Sequence, residues 1–167
     1  NSLRQKEQAV IKQSFQKIGV DVTLKSVDAS VFFGQDANPD NVSHFYADME
    51  MFTSTFSSPN ASSFLKRWYS GNPAKDVAQK VNSWSGANYS RWVSDDFNKM
   101  YDDALKQTDD QKLTDEFKKM NDLLVGQAIT VGLVDRKNVD AKSKSLQGPK
   151  LTPFDVFSWN IADWTRG

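Results

Sequence analysis

HFYADME sets the chain's single histidine and two carboxylates at alternate positions: His44, Asp48 and Glu50, with Tyr46 between them. On a strand, alternate side chains share a face, and carboxylates two residues apart stand roughly 7 Å from each other. That separation suits a pair of acids flanking a glycosidic bond, and with His44 the same acids could ligate a metal. The plainer reading, and the favoured one, is the solvated face of a half-exposed strand, which shows polar-out alternation by itself. No second histidine stands at ligand spacing, no G-x-S-x-G elbow supports a Ser–His triad, and there is no cysteine. Neither glycine-rich phosphate loop is present. The chain is therefore not expected to be an enzyme, and neither a cofactor nor a metal is expected. A carbohydrate-binding or glycoside-active domain working through Asp48 and Glu50 stays open as the alternative.

Another set of residues suits recognition better than reaction. Trp68, Trp84, Trp92, Trp159 and Trp164 all fall in loops or near the ends of elements. Flat apolar rings in such places can wall a ligand, although packing at the edge of a core is their commoner use. WSGANYSRW is the strongest local group: Trp84 and Trp92 frame Gly86, the donors Asn88 and Ser90, and the guanidinium of Arg91. Ligand contact is expected at Trp68, Trp84, Asn88, Arg91 and Trp92.

The elements that must position these groups follow from periodicity. Val10, Ile11, Phe15 and Ile18 recur at helical spacing behind a Ser2/Gln5 capping pattern, and Gly19 ends the run, so residues 3–18 read as a helix. Val20, Val22 and Leu24 then alternate with polar residues as a half-buried strand. A short helical turn is expected at residues 29–33, a second strand at 45–52, a short helix at 60–70 and a loop at 71–91. Ser94 caps a helix with Asp95 and Asp96 in its first turn, where the helix dipole favours acids. Thr108 and Gln111 form another capping pattern, ahead of a helix that buries Leu113, Phe117, Met120 and Leu124 and stops near Gly126. The two helices make an αα-hairpin. ITVGLVDRK reads as a third strand, and residues 155–160 as a fourth. The tight helix–Gly–strand junction and the strand–crossover–strand order predict an α/β fold with a parallel pair.

Composition narrows the partners. The chain has 167 residues, 38% hydrophobic and 25% charged, the size and balance of one globular domain. Lys+Arg and Asp+Glu both total 21, so a zero net charge offers no handle on phosphate backbones or anionic lipid, and nucleic acid is not expected as a partner. No apolar run approaches the roughly 20 residues that span a bilayer. The chain opens at NSLRQKEQAV without an initiator Met and reads as a processed or excised piece.

Several stretches in order resemble the solute-binding proteins of bacterial ABC importers, extracellular family 5, which bind peptides and related solutes. They are RQKEQAVIKQSFQKIGVDVTLKSVDASVFF, MFTSTFSSPNASSFLKRW, NYSRWVSDDFNKMYDDALKQTDDQKLTDEFKKMNDLL and ITVGLVDRKNVDAKSKSLQG, and together they cover nearly the whole chain. The resemblance implies one lobe of a type II periplasmic-binding-protein fold: a three-layer-like α/β lobe with a small mixed or mostly parallel sheet flanked by helices. Residues 1–128 would be the second lobe. Residues 129–167 would be a C-terminal strand and return segment belonging to the first lobe of a longer protein. Implied with it are a periplasmic or extracellular location, with a lipid anchor on the full-length protein left open, and a membrane permease as partner. Self-association of the isolated lobe is implied as well. The resemblance places MFTSTFSSPNASSFL on the cleft, which makes Thr53, Ser54, Thr55, Phe56 and Ser57 ligand-binding residues. Peptide-binding members often carry an Asp there for the peptide's α-amino group, and this stretch has none. Its hydroxyls suit a neutral, hydrogen-bonding solute such as an oligosaccharide or modified peptide more than a free oligopeptide. An isolated α/β domain with only an interaction role is the remaining reading.

Overall fold

A computed structural model describes residues 2–34, 38–55, 58, 60–135, 139–152 and 158–167. The chain divides into two compact units, one of Asn1–Ser54 with Ser70–Val93 and the other of Thr55–Tyr69 with Ser94–Gly167. The boundary expected at residue 128 falls inside the second unit.

The first unit begins with helix α1 (Ser2–Gln16), which stops at Gly19 in a left-handed conformation (φ +80) that glycine adopts without steric cost. No residue of α1 is fully buried. It is held by Arg4 Nη2 donating to Thr53 Oγ1 at 2.5 Å and Gln8 Nε2 donating to the Lys25 carbonyl at 3.3 Å. Asp28 caps the single turn α2 (Ala29–Phe32), accepting from Ser30 N at 2.8 Å. The rings of Phe32, Phe33 and Phe52 then pack together with centroids 4.9–6.2 Å apart. Helix α4 (Pro73–Asp76) carries proline in its first turn, where no backbone donor is lost. A 3-10 turn at Lys80–Asn82 follows, with Gln79 and Asn82 capping each other. Val42, Val77 and Ala78 are the buried apolar residues described in this unit. Gly86 lies so close to that core that a Cβ there would stand 2.5 Å from the Ala78 nitrogen.

In the second unit, α3 (Ser62–Leu65) runs into a 3-10 turn, Lys66–Trp68. Helices α5 (Asp95–Ala104) and α6 (Asp110–Gly126) form the expected hairpin, burying Phe97, Tyr101 and Ala104 from one helix and Met120 and Leu124 from the other. Leu65 joins that core, and Tyr101 Oη donates to the Ser62 carbonyl at 3.1 Å, fastening α3 to the hairpin. Strands β1 (Leu146–Gln147) and β2 (Thr165–Arg166) pair antiparallel, with Leu146 opposite Arg166. Asn160 braces this ribbon from a buried position, donating to the Gly148 carbonyl at 2.8 Å and accepting from Trp164 Nε1 at 3.0 Å.

The chain thus combines helices with a small sheet, a loose form of α/β, and the expected parallel or mixed sheet is corrected: the sheet described is a two-stranded antiparallel ribbon. Residues 20–25, 45–52 and 131–135 carry strand composition yet pair with nothing regular among the described residues. Alternation prepares a strand, but only a partner edge completes one. The parallel contact described is a single bridge between Val77 and Asn88, inside the stretch expected to be loop. Of the fourth expected strand, residues 155–157 lie outside the described residues and 158–160 form a turn. Asp109, not Thr108, caps α6, its carboxylate accepting from Lys112 N at 2.9 Å. Among the described residues no helix is long and apolar enough to cross a membrane.

Candidate functional site

Trp84 meets one other expected site residue, Arg91, and two residues expected on a strand face, His44 and Tyr46. It follows the Lys80–Asn82 turn, and both Ser83 (φ 53) and Trp84 (φ 61) take the left-handed conformation that side-chain-bearing residues rarely adopt. The indole stacks on the His44 imidazole with centroids 4.3 Å apart and planes 28° from parallel. Tyr46 meets both rings edge-on, at 5.8 Å from the indole and 5.4 Å from the imidazole. The Arg91 guanidinium lies 5.2 Å from the indole centroid, within cation–π range.

Arg91 is the fastener of this cluster. Its Nε donates to the Ala78 carbonyl at 3.0 Å, Nη1 to the Phe45 carbonyl at 3.4 Å and Nη2 to the His44 carbonyl. Phe45 (φ 45) and Arg91 (φ 57) are themselves left-handed, so four strained residues surround one pair of rings. Strain of this kind costs about 1–3 kcal/mol at each residue and persists only where its surroundings hold it. Asn88 supplies part of that hold. Its side chain is wholly buried, with Nδ2 donating to the Trp92 carbonyl at 2.8 Å and Oδ1 accepting from Ser90 Oγ at 3.0 Å. Its backbone accepts from Ala78 N and donates to the Asp76 carbonyl. The amide expected to offer donors to a ligand is thus spent on the loop.

Glu50 is half-buried, with one carboxyl oxygen, Oε2, buried and without a partner. Burial pushes its pKa from 4.5 up to about 7, with Arg91 pulling the other way. The Nδ1 of buried His44 likewise has no partner. Asp48 is exposed, and the chain bends at residues 47 and 48, so the shared strand face that would set Asp48 and Glu50 about 7 Å apart does not form. Among the described residues no three His, Asp or Glu side chains could hold a metal ion.

The remaining expected site residues are divided between the two units. Thr53 is engaged by Arg4, and Ser54 is exposed in the first unit; Thr55 is exposed and Trp68 half-buried in the second. Trp68 packs edge-on against Phe64 at 5.2 Å. Trp92 is half-buried, its carbonyl taken by Asn88. Phe56 and Ser57 lie outside the described residues. A groove of about 500 Å³ on α6, lined by Ala61, Leu113, Phe117 and Lys118 among others, contains none of the expected site residues.

His44 and Tyr46 are the members of the Trp84 cluster that the sequence assigned to a strand face instead. Their contact with a tryptophan some forty positions on leaves no local signal. Chemically, the cluster offers aromatic surface, with Tyr46 and its hydroxyl 65% exposed and the Arg91 guanidinium against the indole. That is equipment for stacking and hydrogen bonding. Comparisons with protein-family models, with curated proteins and with solved structures found no match.

Proposed function

We propose that this chain captures a solute outside the cytoplasm for an ABC importer, as part of a longer binding protein that delivers its ligand to a membrane permease. The observation that carries the reading is the order of its stretches, from RQKEQAVIKQSFQKIGVDVTL to ITVGLVDRKNVDAK, which resembles extracellular family 5 along nearly the whole chain. The ligand would be an oligosaccharide, a modified peptide or an oligopeptide. The hydroxyl-rich stretch from Thr53, with no acid to pair an α-amino group, favours a neutral member of that set. The Trp84 cluster supports the reading: an exposed Tyr46 meets a half-buried indole, with the Arg91 guanidinium against the indole. Residues 1–128 are proposed as one wall of the cleft and residues 129–167 as the return segment. With one wall, affinity should be weak, near the millimolar dissociation constant that corresponds to about 4 kcal/mol.

Calorimetric titration of the chain with neutral oligosaccharides, blocked peptides and free oligopeptides tests this. Saturable binding by one class, weakened about tenfold or more in Tyr46→Ala, is the expected outcome. Silence against all three classes at millimolar ligand overturns the proposal.

A further inference from the structure

Three triplets in the chain read Asn-x-Ser with no proline between: Asn41-Val42-Ser43, Asn60-Ala61-Ser62 and Asn88-Tyr89-Ser90. In proteins outside the cytoplasm this is the pattern whose asparagine amide accepts an oligosaccharide, and the bulk of the glycan demands a surface position. The amide nitrogen makes the new bond and the hydroxyl is the group that marks the pattern. Both must therefore be open to the enzyme.

The structure separates the three triplets. Asn41 and Asn88 are buried, at 5% and 0% exposure. Their nitrogens are spent, Asn41 Nδ2 on the Gly34 carbonyl and Asn88 Nδ2 on the Trp92 carbonyl. Their hydroxyls are spent as well: Ser43 Oγ donates to Asn41 Oδ1 at 2.8 Å and Ser90 Oγ to Asn88 Oδ1 at 3.0 Å. Asn60, in contrast, is exposed. Its Oδ1 accepts from Ser62 N at 2.8 Å, which fixes the amide. Among the described residues neither Asn60 Nδ2 nor Ser62 Oγ has a hydrogen-bond partner. Room for a sugar lies beside it, because Asn60 and Ala61 border the groove of about 500 Å³ on α6, with Leu113 and Phe117 among its walls. A sugar ring has an apolar face that suits such a wall.

We propose that Asn60 is an N-glycosylation site, modified by a membrane-bound oligosaccharyltransferase from a polyprenyl diphosphate-linked oligosaccharide. In the transfer, Asn60 Nδ2 attacks the anomeric carbon of the first sugar. A nitrogen–carbon bond forms, the bond from that carbon to the diphosphate oxygen breaks, and the lipid diphosphate leaves with the electron pair. The amide nitrogen gives up one proton to a base of the enzyme, and nothing is oxidised or reduced. Transfer to Asn41 or Asn88 would first have to pull a buried amide off its carbonyl and strand that acceptor, which the folded chain resists. The proposal takes from the reading above only a location outside the cytoplasm, and it holds whatever solute the chain binds.

Incubating the folded chain with an oligosaccharyltransferase and its lipid-linked donor, then mapping the occupied sites by mass spectrometry of proteolytic fragments, tests this. Synthetic peptides carrying each triplet show how the enzyme treats the same sequences without a fold. All three peptides should accept the glycan, while the folded chain should accept it at Asn60 alone. Ser62→Ala should abolish the modification and Ser62→Thr should keep it. A folded chain that stays bare at Asn60 overturns the proposal, as does one occupied at Asn41 or Asn88 as fully as at Asn60. So does a glycan that persists in Ser62→Ala, or an Asn60 peptide that the enzyme ignores. The site map comes from the unmodified chain, so it decides the matter even if a variant fails to fold. A bare Asn60 leaves the calorimetric titration of solutes untouched, and silence in that titration leaves the site map untouched, so the two readings fail separately.

Discussion

Asn88 shows how a residue type that reads as a ligand donor becomes structural. Its amide bonds the Trp92 carbonyl at 2.8 Å and its oxygen accepts from Ser90 at 3.0 Å, while its backbone bridges to Val77. Replacing it with alanine would leave the Trp92 carbonyl without this donor in a part-buried site. Stranding a buried polar group costs about 1–3 kcal/mol. Asn88→Ala should therefore lower unfolding stability by about 1–3 kcal/mol in urea. Unchanged stability, with solute affinity lost instead, would return Asn88 to the ligand. Glu50 makes the opposite point. Its sequence neighbours present it as half of an acid pair, yet the bend at residues 47 and 48 leaves Asp48 exposed and Glu50 half-buried, with one carboxyl oxygen buried without a partner.

The longer helices were legible because what specifies them lies within a few residues, whereas the single turn α4 (Pro73–Asp76) formed inside a stretch expected to be loop. Ser94 Oγ accepts from Phe97 N at 3.2 Å, Asp95 and Asp96 fill the first turn, and Phe97, Tyr101 and Ala104 bury one stripe. Removing such a cap costs about 1 kcal/mol. Ser94→Ala should thus lower the thermal midpoint by about 2–4 °C for a chain of this size and loosen amide exchange in the first turn of α5 while sparing that of α6. Equal loosening of both first turns would show that packing, not the cap, sets the start of α5. Strands were less legible for the same physical reason turned around. VDVTLK and ITVGLV have the right alternation, but pairing is a long-range event that composition cannot guarantee. The ribbon that did form uses Leu146–Gln147 and Thr165–Arg166, two short stretches with no strand signature, placed by Gly148 (φ +101) and the buried Asn160. The Trp84 cluster was half legible: WSGANYSRW marked Trp84 and Arg91, while the return of residues 44–46 to meet them depends on left-handed turns at Phe45, Ser83 and Trp84 that no glycine announces.

Across the whole molecule, the unpaired strand-like stretch bears on behaviour in solution. Val131 (68%), Val134 (64%) and Val139 (92%) are exposed, and among the described residues 131–135 carry no ladder bonds. β-branched residues beside unpaired backbone donors and acceptors make a template for pairing with another chain. The sequence pI of about 6.8 and net charge of zero leave little electrostatic repulsion between copies near neutral pH. We therefore expect self-association through this stretch. Sedimentation velocity over a roughly hundredfold concentration range should show the weight-average mass climbing with concentration, as mass action requires, above the 18.9 kDa of one chain. Placing charges on the stretch, Val131→Lys with Val139→Lys, should hold the mass near the single-chain value without moving the thermal midpoint of the dilute protein, because neither side chain is buried. A single-chain mass for the unmodified protein at every concentration would mean that water alone satisfies these residues. Association that survives both lysines would place the contact on another face.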